Sequence, residues 1–195
     1  MTADLHVEPR PARPWVTFAV ALAALAIRVA PNTSHFLILK PQQVFSGQLW
    51  RLWTGHLVHF GSSHLFWNLA VFVVTGAWAE TLAPRRTRFF LLLAPPFISI
   101  VLLVFAPGLL MYGGLSGIAV GTFVLLAWLR LGSEKSSRWF WRAALALLAA
   151  KIVIESFLSG PIFARISGQG IHDVPLAHIA GAVAATVAFG RRLRI

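Results

Sequence analysis

Six long runs of apolar residues, separated by shorter polar segments, dominate the sequence. The runs cover residues 15–30, 64–83, 89–105, 115–131, 139–158 and 174–190. A helix that crosses a bilayer needs roughly 17–25 mostly apolar residues, and the runs meet or approach that length. No run alternates between apolar and polar residues as a barrel strand does, and backbone groups inside lipid must be paired within their own segment. The pattern therefore predicts an all-α membrane protein, a bundle of six transmembrane helices.

The composition strengthens this interpretation. Of the 195 residues, 57% are hydrophobic and only 12% are charged, whereas about a quarter of the residues in a soluble domain are charged. The sequence contains no cysteine, which excludes a disulfide framework, a thiolate metal site and a cysteine nucleophile. It shows no internal repeat and no second block of different composition. We therefore predict a single six-helix domain over residues 1–195.

Basic residues predict the orientation of the helices. The formal net charge is +11, but Lys and Arg lie between the apolar runs, which favours a lipid surface as their partner and not a nucleic acid. Loops on one side of the predicted bundle contain twelve of these residues, and loops on the other side contain three. By the positive-inside rule the richer side is cytoplasmic. We predict an inner-membrane protein with both termini inside, a cytoplasmic tail at 1–14, and outer segments at 31–63, 106–114 and 159–173.

Polar side chains near the outer ends of three predicted helices need an explanation, because polar groups in lipid are costly unless they are paired or face a wet cavity. These side chains are His64 and Asn68, Ser116, and His178. All of them fall within the outer third of the predicted membrane, so three helices can bring them to one site. His64 and Asn68 are four residues apart and therefore share a helix face.

The chemistry available to these residues is acyl transfer. A serine hydroxyl such as that of Ser116 becomes a nucleophile when a base such as His178 accepts its proton. The oxyanion that follows needs preorganised donors, which the Ser116 N–H, the Asn68 amide and His64 can supply. The pattern offers no carboxylate for a third role, because Asp173 lies in the outer loop. The sequence thus predicts a Ser–His dyad, whereas helix packing is the simpler role for each residue taken alone.

Four motifs in order carry a family resemblance. Residues 114–117 read GLSG and 177–181 read AHIAG, residues 64–68 read HLFWN and 50–51 read WR, and His59 lies in the first outer loop. Together they resemble the GxSG, AHxxG, HxxxN and WR motifs and the loop histidine of the rhomboid intramembrane serine proteases. The resemblance implies a six-helix rhomboid fold and a serine endopeptidase that cleaves membrane-anchored proteins near the outer face of the membrane.

Details within the resemblance lean toward the rhombosortase branch. Residues 50–56 read WRLWTGH, similar to its WRLxTGH stretch, and Lys151 and Glu155 resemble its charged pattern on the fifth helix. This implies substrates with a C-terminal glycine-rich sorting signal. One position departs from the family pattern: rhomboids often carry an aromatic residue one turn after the serine, but Val120 stands there. Something else must then orient His178.

Three polar residues keep two interpretations each. Lys151 and Glu155 are four residues apart, so they either neutralise each other across one helix turn or contact substrate. His59 is either a structural hydrogen-bonding residue of the outer loop or part of the site.

Arg51 is expected to brace that loop. Pro95 and Pro96 are expected to interrupt the backbone hydrogen bonds of the third helix, which neighbouring groups must then replace.

We predict no metal and no cofactor. His56, His59 and His64 are close in sequence, but Leu57 stands where a zinc protease of the HExxH kind needs a glutamate. Two rival functions stay open: a catalytically inactive rhomboid-like protein that binds membrane clients, and a transporter or haem-binding helix bundle. The transporter requires a polar path to the cytoplasmic half of the membrane, and the inner halves of the second, fourth and sixth runs are almost wholly apolar.

Overall fold

A computed structural model describes residues 12–30, 32–134, 136–158 and 175–190, and within them the chain is helical. The helices are α1 (Trp15–Val29), α2 (Thr33–Leu37), α3 (Pro41–Phe45), α4 (Arg51–Thr54), α5 (Ser62–Leu82), α6 (Pro84–Phe105), α7 (Ser116–Leu131), α8 (Arg138–Leu158) and α9 (Pro175–Gly190). A 3-10 turn, Gly55–Leu57, follows α4. Leu39 and Tyr112 form an isolated antiparallel bridge between the first long loop and the segment before α7.

Within the described residues the six apolar runs correspond to the six long helices, so the prediction that these runs are helical is confirmed. The largest difference is at α6, which begins at Pro84 and not at residue 89, because proline is well suited to the first helical position and the basic residues after it are good helix formers. By length and composition, α5 and α6 are long and apolar enough to cross a membrane, whereas α1, α7 and α9 are apolar but shorter. The tail at 1–11 and the outer segment at 159–173 lie outside the described residues.

Helix α7 is the centre of the bundle. Ten of its 16 residues are buried, and it packs between α5 on one side and α9 on the other. The Thr75 and Thr122 hydroxyls, 2.8 Å apart, join α5 to α7 with a buried hydrogen bond. Because the first residue of α7 is Ser116, this central position decides where the serine lies.

The Glu80 side chain, near the end of α5, is fully buried and fastens α1 to the bundle. Its carboxylate accepts hydrogen bonds from the backbone N–H groups of Val16 and Thr17 and from the Thr17 hydroxyl, at 2.8–3.3 Å. Arg88 Nε lies 2.8 Å away and balances its charge. The first N–H groups of a helix have no partner within the helix, so Glu80 caps α1 from another element. The expectation that the inner half of this helix is almost wholly apolar overlooked this residue.

The first long loop binds to α6 near the two consecutive prolines inside that helix. Pro96 has no N–H, so the carbonyl of Leu92, four residues earlier, cannot be paired within the helix. Trp53 Nε1 donates to this carbonyl at 3.0 Å. His56 Nε2 lies 2.9 Å from the carbonyl of Pro95. The prediction that neighbouring groups replace the lost backbone hydrogen bonds is confirmed for the Leu92 carbonyl.

Arg51 braces the same loop, as predicted. Its side chain is buried, and its guanidinium donates to Gln48 Oε1 and to the carbonyls of His35 and Ile38. Burial lowers the pKa of Arg51 from its ordinary value. The Thr54 hydroxyl adds a bond to the Leu37 carbonyl. These bonds link α4 to α2 and so hold the short helices together as one structured unit.

Candidate active site

The turn that leads into α7 is shaped by glycine. Gly114 has a φ of +132°, a backbone conformation that residues with a side chain rarely adopt. A Cβ at this position would also lie 2.7 Å from His64 Cε1, so only glycine fits. Ser116 follows as the first residue of α7 and is half-buried. At that position its backbone N–H is one of the helix N–H groups that have no partner within the helix.

His59 holds this turn from the loop side. Its Nδ1 lies 3.1 Å from the carbonyl of Leu57, so Nδ1 must carry the proton. The other ring nitrogen, Nε2, is then an acceptor, and the N–H of Leu115 donates to it at 3.3 Å. The Gly114 N–H donates to the carbonyl of Gly55 at 3.3 Å. The first outer loop therefore fixes the backbone directly before the serine.

Helix α5 presents His64 and Asn68 to the same turn. Both side chains are buried, and the position where Gly114 would carry a Cβ lies 3.0 Å from His64 Nε2 and 3.6 Å from Asn68 Nδ2. The rings of His59 and His64 meet edge to face with centroids 5.1 Å apart. Within the described part of the chain, neither Asn68 Nδ2 nor His64 Nδ1 has a hydrogen-bond partner.

Helix α9 brings His178 against the start of α7. A Cβ on Gly117 would lie 2.8 Å from the Ala177 carbonyl, and a Cβ on Gly181 would overlap the Gly117 carbonyl. The two backbones therefore touch at the residues next to Ser116 and His178. A Cβ on Gly121 would in turn lie 2.8 Å from the Gly181 carbonyl, so small residues on both helices allow this close approach.

His178 itself is buried and faces α8. Its Nδ1 lies 3.4 Å from Glu155 Oε2, and the Lys151 ammonium lies 2.6 Å from the same carboxylate. The Glu155 side chain is also buried. The expectation that no carboxylate lies beside His178 is therefore wrong. The predicted pairing of Lys151 with Glu155 is present, and His178 is a third member of the group.

All seven residues singled out in the sequence lie at one end of the bundle, where α5, α7 and α9 begin and α8 ends. They are His59, His64, Asn68, Ser116, Lys151, Glu155 and His178. His64 and His178 are close enough for their charges to interact. Among the hydrogen bonds of the described residues, none joins the Ser116 hydroxyl to His178, and no three acidic or histidine side chains there are grouped as metal ligands.

A family model, the Rhomboid domain, matches residues 46–193. The chain belongs to the rhomboid family. Proteins of the rhomboid domain family are in general serine proteases that act on membrane proteins within the bilayer, and membership places this rhomboid in a membrane. The matched residues include α4 to α9 and every residue of the group above, whereas α1, α2 and α3 precede them. No curated protein matches the sequence.

Two contacts of this rhomboid escaped sequence reasoning. The first is the bond from Leu115 to His59, which joins residues 56 positions apart. The second is the approach of Glu155 to His178. The four-residue spacing of Lys151 and Glu155 showed that they pair, but no spacing shows which neighbouring helix a charged pair faces. The missing aromatic residue at Val120 was the one available signal, because it indicated that His178 is supported from elsewhere.

Acid is expected to destabilise the rhomboid through the histidines of its first outer loop. Burial lowers the pKa of His59 to about 3 and that of His56 to about 4, against about 6.5 in an unfolded chain. Both residues are thus neutral when folded, and their contribution is complete above pH 6.5 and is lost as the pH falls toward 3. We expect the melting temperature of the detergent-solubilised protein to be nearly constant from pH 7 to 8 and to fall below pH 6.

His59→Gln tests the assignment, because glutamine does not titrate in this range. We expect it to melt with a weaker dependence on acid. His35→Gln is the matched control, since His35 is exposed on α2 and the change is chemically the same. Equal acid dependence in both variants and in the parent protein would contradict the role of His59.

Proposed function

We propose that this rhomboid is an intramembrane serine endopeptidase with Ser116 as nucleophile and His178 as general base. The observation that carries the proposal is the grouping of buried polar side chains from α5 and α9 around the first residue of α7. A buried polar group without a partner costs stability. Several such groups around the first turn of one helix are better explained by a reaction than by packing.

The nucleophile and the base come from helices whose backbones touch. Because Gly117 contacts Ala177 and Gly181, Ser116 and His178 occupy neighbouring positions on facing helices. His178 takes the hydroxyl proton as the Ser116 oxygen attacks the peptide carbonyl, and then gives it to the departing amine. Catalytic hydrogen bonds in a free enzyme are often long and tighten when substrate binds, so a resting site without the Ser116–His178 bond is compatible with this chemistry.

The oxyanion of the acyl-transfer step would be held by Asn68, by the Ser116 backbone N–H and by His64. Asn68 Nδ2 is buried beside Gly114 without a partner among the described residues. A buried donor without an acceptor lowers the stability of the folded protein by about 1–3 kcal/mol. An oxyanion would satisfy it. The donors are in place before the reaction begins, which is the condition for effective electrostatic stabilisation.

The orientation of the site follows from the charge pattern. Twelve basic residues on one side against three on the other support six spans with both termini in the cytoplasm and the site near the outer face. The first long loop, residues 31–63, would then cover the site from outside. Its bonds to Leu115 and Gly114 support this role, because they join the loop to the backbone directly before α7.

For the substrate we propose membrane-anchored proteins with a glycine-rich segment at the C-terminal anchor. The support is the similarity of residues 50–56 and of Lys151 and Glu155 to the rhombosortase pattern. Glycine also suits the chemistry, because it lowers helix propensity and so makes it easier for an anchor helix to unwind and expose one peptide bond to the serine.

A fluorophosphonate probe tests the nucleophile directly. Membranes that contain the full chain are expected to show labelling of Ser116, identified by mass spectrometry, because the probe reacts with an activated serine hydroxyl. Ser116→Ala is expected to show none. Ser62→Ala is the matched control, since Ser62 begins α5 and loses only a hydroxyl. An unlabelled parent protein would favour the catalytically inactive relative that binds clients.

The same Ser116→Ala variant tests the substrate class in cells. Secreted proteins with glycine-rich C-terminal anchors are expected to keep their anchors in the variant and to lose them in cells with the parent protein. If labelling depends on Ser116 but anchor processing does not, the protease assignment stands and the substrate class is wrong.

A further inference from the structure

Glu155 is a carboxylate buried in apolar surroundings next to the imidazole of His178. The side chain is 4% exposed, and its Oε2 lies 3.4 Å from His178 Nδ1, an ion-pair distance at which the resting Nδ1 makes no hydrogen bond within the described residues. Burying a charge is costly unless it is paired and hydrogen-bonded, and Lys151 provides a partner at 2.6 Å from both carboxylate oxygens. Charge neutralisation between Lys151 and Glu155 does not require that the carboxylate lie beside a histidine of another helix. The position of the Glu155 carboxylate next to His178 therefore requires a separate explanation.

We propose that Glu155 is a positioning residue that holds the His178 ring with Nδ1–H toward the carboxylate and Nε2 toward Ser116. The inference rests on the proposed function, in which His178 is the base. A histidine can accept a proton only at the nitrogen that lacks one, and the partner of the other nitrogen selects which one that is. Glu155 thus replaces the aromatic support that is missing at Val120.

The proton balance of the step is complete with the groups present. As the Ser116 oxygen forms its bond to the carbonyl carbon, its proton moves to His178 Nε2, and the carbonyl electrons move to the oxygen. The imidazolium formed in this way faces the Glu155 carboxylate and strengthens the contact at Nδ1. The proton then passes from Nε2 to the departing amine nitrogen as the peptide bond breaks. Glu155 stays ionised throughout, because Lys151 remains beside it.

The geometry also explains the role of Lys151. Its ammonium lies 2.6 Å from both carboxylate oxygens and favours the ionised form of Glu155, whereas a neutral carboxyl group would no longer favour an imidazolium. Within the described ranges, charged and titratable groups face His178 from two elements, Glu155 and Lys151 from α8 and His64 from α5. Of these, Glu155 is the one that carries a negative charge.

The test compares Glu155→Gln with Glu134→Gln in the full chain. Glu134 is exposed in the loop before α8, so it controls for the loss of one carboxylate elsewhere. In Glu155→Gln we expect fluorophosphonate labelling to slow by about tenfold or more and the midpoint of its pH profile to move to lower pH. Glu155→Asp should restore part of the rate, because it returns the charge at a longer distance. Glu134→Gln should match the parent protein in rate and midpoint.

A second measurement separates this inference from the proposed function. Nitrogen-15 spectra of His178 in a Ser116→Ala background report the tautomer without any turnover. We expect Nδ1–H to dominate there, and its share to fall when Glu155→Gln is added. An unchanged tautomer ratio and an unchanged titration midpoint would overturn the positioning role, even if the parent protein is labelled. A protein that is not labelled but shows the tautomer change would overturn the protease assignment and keep the contact.

Discussion

Replacing His178 with alanine is expected to abolish turnover and keep the fold. Without the imidazole the proposed base for the Ser116 proton is lost, and a neutral hydroxyl is a weak nucleophile. The rate should fall by several orders of magnitude, to the level of Ser116→Ala, and the double variant should lose nothing more, because the two residues act as one unit. The fold should survive because Glu155 keeps its partner Lys151 at 2.6 Å when the imidazole is removed.

The measurement is cleavage of a glycine-rich anchored reporter in proteoliposomes, with thermal unfolding recorded for each variant. Ile179→Ala is the matched control, because Ile179 is the next residue of α9 and is 45% exposed. It should cleave at close to the parent rate. A His178→Ala protein that folds and cleaves as fast as the control would refute the Ser–His mechanism.

The second large effect is expected from Gly181→Ala. A Cβ at Gly181 would overlap the carbonyl oxygen of Gly117, so α7 and α9 would have to separate along the contact that aligns Ser116 with His178. Overpacking of this kind typically lowers the free energy of unfolding by about 1–3 kcal/mol and occasionally by more. We expect the upper end of this range because the obstructing atoms belong to the Gly117 backbone. Activity should be lost as well, since the proposed catalytic residues Ser116 and His178 would move apart with their helices.

Gly190→Ala provides the matched control for this change. It is the same substitution in the same helix, but no described residue has an atom within 4 Å of a Cβ at Gly190. We expect its unfolding midpoint and its probe labelling to match those of the parent protein, whereas Gly181→Ala should lose both stability and labelling. Equal stability of the two variants would show that α9 does not approach α7 as closely as the structure indicates.

The long helices were predictable because lipid imposes a simple rule. A segment that must pair its own backbone in an apolar environment becomes a helix wherever enough apolar residues follow one another. For this reason the apolar runs of the sequence correspond to α1 and to α5–α9. The short helices α2, α3 and α4 were not predicted, because four or five residues are too few to show a helical period. Their geometry depends on tertiary bonds such as those of Arg51.

The depth of the site residues along their helices could be predicted from the sequence, but the rotation of each helix about its axis could not. Counting residues from the ends of the apolar runs placed Ser116, His178 and Asn68 at one level, and the structure brings them to one end of the bundle. Which neighbour a side chain faces depends on the rotation of each helix about its axis, and hydrophobicity alone does not define it in a helix that is apolar all round. The approach of Glu155 to His178 therefore could not be predicted from the sequence.

The carboxylate of Glu80 has a consequence for where this domain begins. The family match starts at residue 46, yet Glu80, which lies inside the matched region, takes three of its hydrogen bonds from Val16 and Thr17. In a chain trimmed to the matched residues, the buried Glu80 carboxylate would keep Arg88 as a partner but would lose the three hydrogen bonds from α1. The smallest self-sufficient unit is thus larger than the shared core, and its N-terminal helix is a structural component and not an appendage.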